Sequence, residues 1–199
     1  ALAAADWPQW RHDAHRSGAT QDRCPDNMSL LWTKQLGSPD PAYDHQYRMC
    51  ADASYAPIAA RDLLFVPSNT ADCVTAYELS TGDSRWQYIT EGPVRMAAVF
   101  WSGKVYFGSD DGYLYCVDAA DGGLRWRVRG VSPDTIDSRM LVGGRFCSRW
   151  PVRGAPVLSD GAVYFGAGLW PEEGAYVTAA DAETGEVLWR SDSMSYVRQ

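Results

Sequence analysis

Apolar residues along this chain fall in short runs separated by glycine and small polar positions, and helical periodicity is nearly absent. The runs Leu63-Leu64-Phe65-Val66, Val105-Tyr106-Phe107-Gly108 and Val163-Tyr164-Phe165-Gly166 share one composition. Each follows a second strand-like run: Ala56-Pro57-Ile58, Met96-Ala97-Ala98-Val99 or Ala155-Pro156-Val157-Leu158. The pairs Ser102-Gly103, Asp111-Gly112 and Asp160-Gly161 punctuate them with residues tolerant of positive φ, as tight reversals need. Strands are the predicted elements throughout.

A third and fourth strand complete each unit through the motif small-x-acid-x-x-(Thr/Asp)-Gly-x-x-x-Trp. The acid is Glu78, Asp118 or Asp181, the turn Thr81-Gly82, Asp121-Gly122 or Thr184-Gly185, and the tryptophan Trp86, Trp126 or Trp189. The acid can accept hydrogen bonds from N–H groups of the turn, and glycine lets the chain reverse into the fourth strand. The tryptophan then lies on the outer strand, where its ring can pack between neighbouring units and bury about 150–250 Å². Four-stranded meanders repeated in this way are propeller blades. The predicted class is all-β: a β-propeller of four-stranded antiparallel blades, with about three blades present in an incomplete ring.

The repeat divides the chain into a small-residue stretch at 1–5 resembling the end of a signal peptide, and a segment at 6–52 with an outer strand around Trp32. Blades follow at 53–92, 93–130 and 151–191, with an inter-blade insertion at 131–150 and a tail at 192–199 leading toward a missing blade. Trp86 and Trp126 are 40 residues apart and Trp126 and Trp189 63, so the excess lies in Val131 to Arg149 and Leu169 to Gly174. Long loops on a rigid scaffold are candidate binding surfaces. Known propellers have about four to eight blades. The count therefore predicts a piece of a longer protein, whose first partners are the missing blades of the same polypeptide.

Composition narrows the function. A formal charge of -7 argues against general binding to nucleic acid, which needs a cationic face. No apolar run reaches the length of a membrane span, so none is expected. The start of the chain points to a periplasmic or secreted location. The cysteines Cys24, Cys50, Cys73, Cys116 and Cys147 form no C-x-x-C and leave an odd thiol. An oxidising compartment would allow one or two disulfides of unreadable connectivity, whereas Cys73 and Cys116 read as small buried apolar residues.

The motif resembles the tryptophan-docking repeat A-x-D-x-x-T-G-x-x-x-W of pyrroloquinoline-quinone-like propellers. The third copy matches at every fixed position; the first departs at Glu78 and the second at Cys116 and Asp121. The opening Asp6-Trp7-Pro8-Gln9-Trp10-Arg11, followed by Arg16-Ser17-Gly18, is similar to the start of secreted, planctomycete-type members. This resemblance covers roughly residues 6–191 and is specific for fold rather than activity. It implies either a scaffold or a dehydrogenase holding the quinone on the axis beside calcium, under a disulfide of adjacent cysteines. This chain has no Cys-Cys dipeptide.

No residue reads as catalytic, and G-x-S-x-G, H-E-x-x-H and G-x-x-x-x-G-K-[ST] are absent. Calcium candidates Asp110, Asp111, Glu172 and Glu173 fit a turn and a surface loop equally well. His12 and His15 read as a solvated pair, and His45 lies in a loop, Tyr43 to Arg48, expected to pack across the propeller end. Pro93-Val94-Arg95 and Pro151-Val152-Arg153 occupy the same place in two repeats. Arg95 and Arg153, with Arg48, would make a cationic funnel for a small anionic ligand, unless they pair with local acids. The leading expectation is an exported binding or assembly scaffold for other proteins, with no metal and no cofactor. The alternative is part of a quinone-dependent alcohol or sugar dehydrogenase, with pyrroloquinoline quinone and calcium.

Overall fold

Three four-stranded antiparallel meanders and one two-stranded ribbon account for the strands in the computed structural model, which describes residues 6–24, 26–43, 55–169 and 173–191. Blade 1 comprises β1 (Ile58–Ala60), β2 (Leu63–Ser68), β3 (Cys73–Glu78) and β4 (Ser84–Ile89). Blade 2 comprises β5 (Val99–Trp101), β6 (Lys104–Gly108), β7 (Tyr113–Asp118) and β8 (Leu124–Arg129). After the ribbon β9 (Arg139–Val142) and β10 (Arg145–Ser148), blade 3 comprises β11 (Val157–Ser159), β12 (Ala162–Ala167), β13 (Tyr176–Asp181) and β14 (Val187–Ser191). The described blades do not close into a ring, as the repeat count predicts. The ribbon is a departure: the insertion was expected as a loop, but Gly143-Gly144 turns it into a hairpin.

The core lies between blades. Because side chains alternate across a strand, Val105 and Phe107 of β6 join Ile58, Phe65, Val74 and Trp86 of blade 1 in one buried cluster. Tyr106 of the same strand joins Val163 and Phe165 of blade 3 in the next. Both faces of blade 2 are thus covered, which explains its near-continuous apolar strands.

Tryptophan docking welds these interfaces. Trp86 donates its Nε1–H to the Ala119 carbonyl of blade 2 at 2.9 Å, and its ring lies against Gly122, where a Cβ would come within 2.8 Å of Cδ2. Trp126 docks likewise on Gly185 of blade 3, and Trp32, outside any described strand, docks on Gly82 of blade 1 while bonding the Leu79 carbonyl at 2.8 Å. In each blade the small residue of the motif pairs directly with tryptophan, Ala76 with Trp86, Cys116 with Trp126 and Ala179 with Trp189, and a register shift follows at once. The acid behaves as expected in two copies: Asp118 accepts from the Ala120 N–H, and Asp181 from the Glu183 and Thr184 N–H groups. Glu78, one carbon longer, instead accepts from Arg85 at 2.7 Å. Trp189 is 48% exposed among the described residues.

Gly122 and Gly161 have nearly equal φ, 74° and 75°, but a Cβ on Gly161 would meet nothing within 4 Å. Gly122→Ala should therefore cost about 1–3 kcal/mol more than Gly161→Ala, and Trp86→Ala about 3–5 kcal/mol. Equilibrium unfolding of the three variants measures both; equal losses for the two glycine variants would remove the docking contact as the cause.

Candidate functional site

The inner strands β1, β5 and β11 are each followed by a hairpin, so the β2–β3 and β6–β7 turns and the lead-in to each blade gather at one end of the axis. The two Pro-Val-Arg segments sit there in equivalent places. The Val94 N–H donates to Ser68 and Val152 to Ser109 of the preceding blade, while the Pro93 carbonyl accepts from Asp110 and Pro151 from Gly168 of the same blade. Each segment straps two blades together, with its valine buried.

Arg95 and Arg153 are brought together, on a carboxylate. Arg153 engages Asp110 with both Nε and Nη2, at 3.0 and 2.6 Å, and Arg95 Nη1 reaches the same carboxylate at 3.4 Å. The side chains of Arg95, Asp110 and Arg153 are only 5%, 1% and 13% exposed. Both guanidiniums lie over the fully buried Tyr43 ring, at 5.6 and 5.7 Å from its centroid. The Tyr43 hydroxyl lies beside the Cys147 thiol without a well-formed hydrogen bond. Burial, reinforced by Asp110, raises the Tyr43 pKa and pushes the Cys147 thiol up to about 11. The ribbon closes over this end: Arg145 of β10 pairs with Asp72 and donates to the Asn69 carbonyl of blade 1, and Arg139 of β9 pairs with Glu91 at 2.5 Å.

The N-terminal segment bonds to the inner strands. Trp7 and Ala59 exchange two hydrogen bonds, the Pro8 carbonyl accepts from Phe100, Gln9 accepts weakly from Leu158, and Arg16 donates to the Ala155 carbonyl. One segment thus runs across the inner strands of all three blades. His12 stacks edge-on against Trp7 beside Asp13, and Arg16 lies over Trp10.

Other candidates are dispersed. Arg48, His45 and Glu172 lie outside the described residues. Asp111 is buried and accepts from the Tyr115 hydroxyl at 2.7 Å, and Glu173 pairs with Arg149. Burial raises the Asp111 pKa. Among the described residues no group of three or more His, Cys, Asp or Glu could hold a metal. At the opposite end of the axis a cavity of about 860 Å³ is lined by Glu78–Arg85, Asp118–Arg125 and Lys104–Glu183. Those groups neutralise one another as ion pairs at 2.5–2.8 Å. Sequence reasoning did not find Asp110 as the partner of both arginines, nor Tyr43 as their cover.

Cys24, Cys73, Cys116 and Cys147 are all free; Cys24 is exposed and the other three are buried. Burial also raises Cys116 to about 12. In a thiol-labelling assay at pH 8, Cys24 should react at once, while Cys73, Cys116 and Cys147 should react only on unfolding. Peptide mapping of early adducts on Cys147 would contradict the closed axial end.

Comparison with known proteins places this architecture. A family model described as outer membrane protein assembly factor BamB matches residues 89–198. The dehydrogenase subunit of a quinone alcohol dehydrogenase from Gluconobacter oxydans (strain 621H) is 33% identical over 176 residues, covering 82% of this chain and 22% of that protein. The quinohemoprotein alcohol dehydrogenase ADH-IIG of Pseudomonas putida is 36% identical over 176 residues, covering 82% and 23%. The crystal structure of the quinohemoprotein alcohol dehydrogenase from Comamonas testosteroni superposes with a TM-score of 0.66 at 25% identity, covering 96% of this chain and 28% of that one. The chain thus spans about a quarter or less of the length of these two curated relatives. The planctomycete-type resemblance finds no support in these comparisons. The expectation of a cofactor-free protein is corrected by them, because the relatives are quinone and quinohemoprotein enzymes.

Proposed function

The chain belongs to the quinoprotein-type propeller family described for the outer membrane protein assembly factor BamB, and from that premise we propose that it is a section of the propeller of a quinone-dependent alcohol dehydrogenase. The observation that carries this reading is identity of 33–36% with a quinone alcohol dehydrogenase subunit and a quinohemoprotein alcohol dehydrogenase over 82% of the chain. The scaffold reading drops to second place. An exported location belongs to the same proposal, as does a further blade of the polypeptide against the exposed Trp189 ring.

Pyrroloquinoline quinone carries carboxylates, and buried guanidiniums are suitable donors for them. Arg95 and Arg153 nevertheless do not fit the group as they stand, since Asp110 takes both and Tyr43 covers both. Calcium finds no cluster of carboxylates among the described residues. Within the proposed enzyme these residues supply the rigid frame, and contacts to the quinone come from elsewhere in the polypeptide.

The test is a titration of the full-length gene product and of residues 1–199 with pyrroloquinoline quinone and calcium, following quinone absorbance and dye reduction by primary alcohols. The full-length protein should bind the quinone stoichiometrically and reduce the dye, and residues 1–199 should retain no quinone. A full-length protein that binds no quinone would overturn the dehydrogenase reading in favour of a scaffold.

A further inference from the structure

Asp110 is the point at which separately encoded parts of the chain meet. Its carboxylate holds Arg95 from the lead-in to blade 2 and Arg153 from the lead-in to blade 3. Its N–H donates to Pro93, and its carbonyl accepts from Ser148 at the end of the ribbon at 2.7 Å. Tyr43 brings in the N-terminal segment, whose Asp40 carbonyl is tied to the Asn69 amide at 2.8 Å. With no well-formed hydrogen bond on the Tyr43 hydroxyl, what seats this residue is its ring: two guanidiniums over its π-system and apolar contact with Cys147 and Ala42.

We propose that Asp110 and Tyr43 form an internal latch. The Asp110 carboxylate stands where an external anion would sit between Arg95 and Arg153, and the Tyr43 ring closes over both cations. The latch fastens the N-terminal segment and the ribbon to blades 2 and 3, and it shuts the cluster to anionic ligands in the folded protein. The burial supports this: the Asp110 carboxylate and both guanidiniums it engages are nearly buried, whereas an open receptor would present the arginines to solvent. The inference rests on this geometry and not on the dehydrogenase reading, so either can fail alone.

The test is rescue of Asp110→Ala by a small carboxylate. Removing the carboxylate takes away the group that Arg153 engages through two nitrogens and leaves a space of formate size, so the variant should melt well below the parent. Formate at about 0.3 M should then raise its melting temperature by about 5 °C. Formamide, its neutral counterpart, and chloride at equal ionic strength should not, and the parent should not respond to formate. Asp110→Ala as stable as the parent, rescue by both formate and formamide or by neither, or a parent that responds like the variant would each overturn the latch. Should Asp110→Ala fail to fold, the isosteric Asp110→Asn decides through hydrogen exchange. Amides around Ala42 and Tyr43 should exchange at least about tenfold faster than in the parent. Unchanged protection there would show that the carboxylate does not hold Tyr43 in place.

Discussion

An indole ring set against a glycine with no room for a Cβ is the contact on which the rest of this structure depends. The fixed positions of the repeat follow from it. Glycine must stand at the turn because the ring of the preceding blade occupies the space of its side chain, and φ there is 76°, 74° and 76° at Gly82, Gly122 and Gly185. The residue before the acid by two must be small because it pairs across the strands with the tryptophan of its own blade. Threonine or aspartate precedes the glycine because its side-chain oxygen accepts the N–H two residues on, from Asp83, Gly123 and Glu186 in turn. Asp121 is therefore a working replacement for threonine.

Docking is not uniform along the chain. Trp32 and Trp86 bond the carbonyl that follows the motif acid, but Trp126 bonds Glu183, one residue further, because the Tyr106 hydroxyl takes the Ala182 carbonyl at 2.9 Å. Blades that touch only their neighbours make stability a sum of nearest-neighbour interfaces, and the middle unit gains most. Blade 2 is that unit. The N-terminal segment departs from this scheme, since residues from Trp7 to Arg16 bond to all three blades.

The fold was legible in the sequence because it rests on local, repeated chemistry: turn residues, alternation and a fixed tryptophan spacing. The ribbon was harder. Its strands, Arg-Met-Leu-Val and Arg-Phe-Cys-Ser, occur once, so repetition gave no help, and the one available signal was the Gly143-Gly144 pair. The path of the N-terminal segment could not be read, since its bonds join residues as far apart as Gln9 and Leu158 and use backbone atoms or single polar side chains. For Arg95 and Arg153 the sequence showed that two cations share a place in the repeat, but not what they face. That depends on how adjacent blades are juxtaposed.

A comparison of the three blades shows how small the difference is between an open cationic end and a closed one. The hydrogen bonds of the lead-in segments make Ser68 equivalent to Ser109, and Asp110 equivalent to Gly168. The turn residue after these serines is therefore Asn69 in blade 1 and Asp110 in blade 2, with Gly168 at the same place in blade 3. Among the three, Asp110 alone carries charge. Asn69 spends its amide on the Asp40 carbonyl, and Gly168 has no side chain to offer. Two guanidiniums cannot remain buried without a counter-charge, because desolvation of a cation in the interior costs several kcal/mol. Had the blade 2 turn carried asparagine or glycine, Arg153 would have lost the carboxylate it holds through Nε and Nη2, and would have had to turn to solvent or take up an anion from outside. Under the proposed latch, a single carboxylate in one turn, supplied once in three repeats, makes this end of the axis a joint rather than a receptor.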